Sequence, residues 1–298
     1  MDNMTPNTEM EHAKQEAAAV EGSPVGPRME KLADAGKLTS KNSDVHWLYE
    51  QSVQNAEVEA EFIGRVFKRE FGREPTFLRE DFCGTALLCS EWVKANADRT
   101  ALGVDLDGPT LDWGMVNNIN PLGDRASAVT LIKDDVRNVN SPRADILAAT
   151  NFSWWGFKTR AELKEYLLGA YSHLNDDGML LMDCYGGPEA QVPQLEVREQ
   201  EGFDYVWDQD TFNPITNEVV CKIHFQFPNG SKMKNAFRYD WRLWSMPETC
   251  DLLKEIGFRK TVIYWEGADK DGEPNGDFQP SRVGDLAPAW VAYILAFR

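Results

Sequence analysis

The segment Leu78-Arg79-Glu80-Asp81-Phe82-Cys83-Gly84-Thr85-Ala86 sets two acids at the end of a short strand pattern, then a tight turn at Gly84, then the start of a helical pattern. In an open α/β sheet, ligands bind beyond the carboxyl ends of the strands, where a helix N-terminus offers unpaired N–H groups. Gly84 lets the backbone approach such a ligand closely. Twenty-one residues further on, Asp105 ends the stretch Gly103-Val104-Asp105-Leu106, where a carboxylate is placed to accept hydrogen bonds from a ribose diol. This spacing of turn and acid points to an adenosine-containing cofactor.

The elements that must position these residues follow from the apolar periodicity. Thr76 to Leu78 reads as a first strand, Ala101 to Leu106 as a second, Val129 to Ile132 as a third, Ile146 to Ala149 as a fourth and Met179 to Met182 as a fifth. Helical patterns lie between them, at Leu87 to Val93, Leu111 to Met115 and Ala161 to Leu174. The alternation predicts an α/β fold, a Rossmann-like doubly wound parallel sheet covered on both faces. Leu48, Val53, Val58, Phe62, Ile63, Val66 and Phe67 recur at helical spacing, predicting a helical cover over 46–75. Residues 203–244 then hold ten aromatic side chains against a chain average of 11%, in alternating stretches joined by Pro228-Asn229-Gly230-Ser231, which marks an antiparallel β insertion over 198–245. A helix at Pro247 to Ile256, a strand at Lys260 to Trp265, a Gly- and Asp-rich loop from Glu266 to Pro288 and a strand from Ala289 to Phe297 close the chain. The first 45 residues carry no aromatic residue and no repeating apolar face, and read as a disordered tail before one domain spanning 46–298.

With these motifs in order, residues 76–298 resemble class I S-adenosylmethionine-dependent methyltransferases, of the small-molecule, glycine N-methyltransferase-like type. The family's first motif is an acid followed by Gly-Cys-Gly-Thr-Gly; it matches Glu80 and Cys83 to Ala86, with Phe82 and Ala86 standing where the family usually has glycine. Its second acid matches Asp105, and its adenine-binding acid matches Asp135 in Lys133-Asp134-Asp135-Val136. Asn151-Phe152-Ser153 looks like the family's Asn-Ser-Phe turn, and His173 to Met179 looks like its His-Leu-Lys-Pro-Gly-Gly turn before the fifth strand. The resemblance implies a seven-stranded, mainly parallel sheet with an antiparallel last strand. It also implies S-adenosyl-L-methionine as cofactor, held by Glu80, Cys83, Gly84, Asp105, Leu106, Asp135, Val136 and Asn151, and transfer of a methyl group to a small-molecule acceptor. In-line methyl transfer from a sulfonium draws on alignment and desolvation and needs no dedicated base, and no catalytic residue stands out.

Tyr49, Trp154, Tyr185, Tyr239, Arg242 and Trp265 are the candidate acceptor-pocket residues, since they fall at strand ends, in the N-terminal cover or on the insertion. Arg242 would anchor an anionic acceptor or form a surface ion pair. A nicotinamide-dependent oxidoreductase would want G-x-G-x-x-G, and the turn offers Gly84 alone. A non-catalytic cofactor-binding module and a protein or RNA methyltransferase remain the alternatives. A net charge of -17 opposes nucleic acid and anionic membrane surfaces. Five scattered cysteines without a C-x-x-C pair and four histidines without helical spacing predict neither disulfides nor a metal site, and with a polar N-terminus they fit a cytoplasmic protein. The loop Asp269 to Asp277 lacks the glycine and glutamate positions of a calcium-binding EF-hand and reads as solvated.

Overall fold

The computed structural model describes residues 23–270 and 274–298. Three helices lead in: α1 (Gly26–Asp34), α2 (Val45–Val53) and α3 (Ala56–Phe71). Strands β1 (Phe77–Asp81), β2 (Thr100–Asp105), β3 (Val129–Lys133), β4 (Ala144–Ala149) and β5 (Leu174–Gly186) then alternate with helices α4 (Leu87–Ala95), α5 (Gly108–Gly114) and α6 (Arg160–Ser172). Four strands follow, β6 (Gln194–Gln200), β7 (Phe203–Asn213), β8 (Glu218–Gln226) and β9 (Lys232–Arg242). Helix α7 (Met246–Ile256) and strands β10 (Lys260–Ala268), β11 (Pro274–Ser281) and β12 (Trp290–Phe297) complete the chain.

The main sheet has the order β11-β10-β12-β5-β4-β1-β2-β3, with β1 to β5 parallel to one another and β12 antiparallel to both β5 and β10. β4, Ala-Asp-Ile-Leu-Ala-Ala, is buried at every position, as a central strand covered on both faces must be. The two layers of core are distinct. Leu147, Trp154, Trp155, Tyr166 and Leu180 pack on one face, and Phe67, Leu88, Trp92, Ile146 and Leu181 on the other.

The sheet gains an eighth strand where a loop is expected between Glu266 and Pro288. β11 pairs antiparallel with β10, from Ile263 opposite Ser281 to Ala268 opposite Pro274. Its sequence hides this, because two prolines flank a segment whose one half-buried apolar residue, Phe278, rests on Tyr293 at 4.5 Å. Such a composition is tolerated only at a sheet edge.

The second sheet, β6-β7-β8-β9, is wholly antiparallel. Alternate residues of β8 are buried, so one face is apolar, with Phe203, Tyr205, Ile223, Phe225 and Phe227 on it. That face is covered by Met29, Leu38, Trp47 and Leu48. The expectation of a disordered tail to residue 45 is therefore corrected for its second half. Met29 and Leu38 are fully buried, and the Met29 sulfur accepts the Asp44 N–H at 3.4 Å; residues 1–22 of the expected tail lie outside the described residues. The apolar positions of 23–45 are too few to show a period, and the β7 and β8 residues that Met29 and Leu38 pack with begin only at Phe203.

Removing the Met29 side chain should leave a cavity beneath the second sheet. We expect Met29→Ala to lower unfolding free energy by about 2 to 5 kcal/mol in urea denaturation; a loss near zero would mean that the segment does not dock.

Candidate functional site

The turn after β1 uses three left-handed residues in alternation, Phe82 (φ 61°), Gly84 (φ 54°) and Ala86 (φ 56°). Glycine adopts this conformation freely, whereas a side chain there costs roughly 1 to 2 kcal/mol. The turn thus holds a non-glycine residue in this conformation at two of its three left-handed positions. Packing compensates for the strain: the Ala86 methyl is fully buried, and the Phe82 ring lies 5.9 Å from Phe157 and 5.6 Å from Tyr166.

Gly84 N–H donates to Asp105 Oδ2 at 2.8 Å, and Asp107 N–H donates to Oδ1 at 2.9 Å. The acid at the end of β2 and the turn at the end of β1 are therefore fastened together, and each carboxylate oxygen keeps a lone pair for a further donor. Beside them opens a recess of about 320 Å³, lined by Asp105, Leu106, Asp135 and Val136 together with Phe82, Arg137, Ser153, Gly156, Phe157 and Glu162. Leu106 is 66% exposed, an apolar side chain left open beside the recess. Asp135 receives both arms of Arg137, at 3.0 and 2.6 Å, and this pairing holds its carboxyl below the usual range.

The loop carrying Asp135 and Val136 is anchored from below. Arg79 is 1% exposed and donates to Asp81 Oδ1 (2.7 Å), Val136 O (2.8 Å), Val139 O (3.0 Å) and Ser141 Oγ (3.1 Å). Tyr166 Oη donates to the other Asp81 oxygen at 3.2 Å. From the other side, Glu50 of α2 accepts the Thr85 hydroxyl at 2.6 Å and the Asn118 amide at 2.8 Å, which joins the N-terminal cover to the turn.

Two residues expected to touch a cofactor are placed differently. Glu80 is 2% exposed and accepts both the N–H and the thiol of Cys89, at 3.2 and 3.0 Å. The Cys83 side chain is buried against Gly103, where an added Cβ would meet its sulfur at 2.8 Å, so only its backbone belongs to the turn. Asn151 (φ 57°) and Phe152 donate their N–H groups to Asp183 at 2.6 and 2.8 Å.

Asp183, near the end of β5, belongs to a group of acids and phenols that joins Glu59 and Tyr293, which no motif marks, to Glu80 and Tyr49. Glu59 of α3 accepts the Tyr293 hydroxyl at 3.0 Å, and its charge bears on Asp183, Glu80, Tyr49 and Tyr293. Burial pushes the carboxyls up, Glu59 to about 7, Glu80 to about 8 and Asp183 to about 8. The only trace of Asp183 in the sequence is an acid inside the apolar run Leu180 to Cys184.

Three of the expected acceptor residues share one aromatic wall near these acids. Tyr49 lies 4.9 Å from Phe237 and interacts with the Tyr239 phenol. Tyr239 stacks on Trp241 at 4.4 Å, and Trp207 lies 6.3 Å from both Tyr239 and Tyr185. The other three stand elsewhere. Trp154 is completely buried and donates its indole N–H to Asp183 O at 2.8 Å, a core role. Arg242 donates to Lys158 O and Glu248 and lies 3.8 Å over Trp244, so its charge is already committed. Trp265 packs against Trp290, tilted, with ring centres 4.9 Å apart.

Among the described residues no group of three or more His, Cys, Asp or Glu side chains is arranged for a metal ion, and no helix is long and apolar enough to cross a membrane.

This architecture, with its appended antiparallel sheet, is the Rossmann-like fold of S-adenosylmethionine-dependent methyltransferases. One solved structure with that fold is an S-adenosylmethionine-dependent methyltransferase from Clostridium acetobutylicum, at TM-score 0.59 and 15% identity, covering 83% of this chain and 95% of the other. An amino pentose methyltransferase of Micromonospora echinaspora involved in calicheamicin biosynthesis aligns at TM-score 0.60 and 13% identity, covering 85% and 95%. A sugar N-methyltransferase of Streptoalloteichus aligns at TM-score 0.56 and 17% identity, covering 88% and 94%. No family model and no curated protein sequence matches the chain.

Removing Arg79 strands the buried Asp81 charge. We expect Arg79→Met to cost about 3 to 5 kcal/mol in denaturant unfolding, and Arg79→Met combined with Asp81→Leu to regain most of it; equal stability of the single variant and wild type would refute the anchoring role. The raised carboxyls give a second expectation. Glu59, Glu80 and Asp183 keep protons in the folded state that the unfolded chain releases near its ordinary carboxylate range, so their contribution is complete at low pH and lost as pH rises through about 7 to 8. The midpoint of thermal unfolding of the ligand-free protein should fall from pH 5 to 9, and Glu80→Gln should flatten that fall; a midpoint that rises over this range would contradict the assignment.

Proposed function

We propose that the protein is an S-adenosylmethionine-dependent methyltransferase acting on a small-molecule acceptor that carries an amine. The observation that carries this reading is the hydrogen bond from Gly84 N–H to Asp105 at the edge of a recess lined by Asp105, Leu106, Asp135 and Val136. The residues present suit a nucleoside. Asp105 retains lone pairs for ribose hydroxyls, Leu106 and Phe157 give apolar surface for a purine, and Asp135, shared with Arg137, offers a carboxylate for its amino group. When bound, S-adenosylmethionine would supply a methyl group on a sulfonium, activated for in-line displacement.

The chain's own residues would do the rest. Tyr49, Tyr185 and Tyr239 would wall the acceptor side and exclude water, and their π faces suit a neighbouring cation. Glu59 and Asp183, with affinities for a proton near neutral pH, would hold the proton an amine gives up. The amine reading is further supported by two fold relatives, described as an amino pentose methyltransferase and a sugar N-methyltransferase. The acidic surface favours a small molecule over nucleic acid, and the free thiols of all five cysteines suit a cytoplasmic setting.

Calorimetry with S-adenosylhomocysteine, followed by a screen of amine and hydroxyl metabolites with a labelled methyl donor, tests the reading. Binding is expected, and Asp105→Ala should weaken it by about 1 to 3 kcal/mol. An unchanged dissociation constant in the folded variant would remove Asp105 from the site, and no binding at all would end the reading.

A further inference from the structure

The end of the main sheet away from the candidate site holds a second recess. β12 runs antiparallel to both β5 and β10, so β10 points the same way as β1 to β5, and Lys260, its first residue, stands at their amino ends. Asp81 and Asp105 close β1 and β2 at the carboxyl ends. Around Lys260 a recess of about 330 Å³ opens between the last turn of α3 and the turn after β11, and none of its lining residues also lines the recess at Asp105. That volume falls in the lower range of small-molecule sites.

The charge of this recess is opposite to that of the chain. Arg69, Lys260 and Arg282 line it with a single acid, Glu70, in a protein of net charge -17. Glu70 is already shared, since it accepts Lys260 at 2.7 Å and Arg259 at 3.1 Å. Among the described residues neither Arg69 nor Arg282 is paired with a carboxylate. Arg69 donates to the neutral Tyr264 hydroxyl and lies 5.6 Å from the centre of that ring, which orients its guanidinium and leaves most of its N–H fork unspent. Arg282 is exposed and set at the rim by its neighbours: the Ser281 hydroxyl donates to Val283 O at 2.7 Å and accepts the Val283 N–H at 3.2 Å, closing a turn around it. The floor is apolar. Val262 and Phe297 form it, and the Lys260 ammonium lies 5.2 Å from the Phe297 ring centre.

We propose that this recess is a second small-molecule site, which takes a phosphate monoester with its phosphate on Arg69, Lys260 and Arg282 and its organic body on Val262 and Phe297. Three cations less one carboxylate leave a surplus of two positive charges, which matches a dianion. A phosphate monoester is close to a dianion at neutral pH, and a guanidinium meets its oxygens in pairs. A carboxylate or a sulfate ester would leave one cation unanswered. The apolar floor gives the rest of the ligand a surface that inorganic phosphate could not use. The proposal is independent of the methyltransferase reading.

Calorimetric titration of the full chain with phenyl phosphate tests it, first without cofactor, so that the result does not turn on the recess at Asp105. Saturable binding is expected, and phenyl sulfate, a monoanion of the same shape, should bind about tenfold more weakly or worse. Arg282→Glu, on an exposed turn, should weaken phenyl phosphate about tenfold or more, and folded Arg69→Gln should do the same. Lys234→Glu makes the same change of charge on the exposed β9 edge of the second sheet and should leave the dissociation constant within about twofold, because a distant charge is screened. S-adenosylhomocysteine should not compete. The absence of binding at millimolar phenyl phosphate overturns the proposal. So does binding that is indifferent to Arg282→Glu, that falls equally with Lys234→Glu, that does not distinguish phosphate from sulfate, or that S-adenosylhomocysteine displaces.

Discussion

A single guanidinium inside the sheet governs the geometry of the candidate site. Arg79 lies on β1, a strand with neighbours on both sides, and could not remain there unpaired. Its donors are spent on Asp81 in the same strand and on the carbonyls of Val136 and Val139, which belong to the loop after β3. That loop carries Asp135 to the rim of the recess. The cost of burying a charge is thereby turned into a fixed distance between two loops that contribute to one site. Asp105 performs the same task nearer the surface, where Gly84 and Asp107 are tied to one carboxylate.

The side proposed for the acceptor is organised by a different constraint, the crowding of carboxyls in an apolar setting. Glu59, Glu80 and Asp183 come from a helix and two strands, and their charges act on one another. Burial and mutual repulsion together keep protons bound near neutrality, a condition in which a carboxyl can both give and take a proton. The aromatic residues of the second sheet and of α2 enclose this region. Polar groups of high proton affinity and polarisable rings thus stand close to one another, with Tyr49 feeling the charge of both Asp183 and Glu59.

Much of the main sheet was legible because its strands are short apolar runs separated by helical periods, as in Ala144 to Ala149 and Ala101 to Val104. Gly84, Asp105 and Asp135 were legible because a turn and two strand ends recur at spacings set by the length of a strand and its helix. What escaped had no local pattern. β11 carries two prolines and a single inward ring, and residues 23–45 show their amphipathic character only against β7 and β8. Glu59 reads as one more exposed acid on a charged helix, and only the tertiary position of Tyr293 brings it inside. Trp154 stands in the core for the converse reason: a residue type suited to a pocket is equally suited to filling a core. Of the two readings open for Arg242, the structure shows the ion pair, with Glu248.

The docking of α1 and α2 on the second sheet also bears on biosynthesis. Met29, Leu38 and Trp47 leave the ribosome long before β7 and β8, the strands that cover them. The leading segment must therefore wait, apolar side chains uncovered, while some 180 residues are translated behind it. Docking of α1 and α2 on the second sheet is therefore a late step of folding.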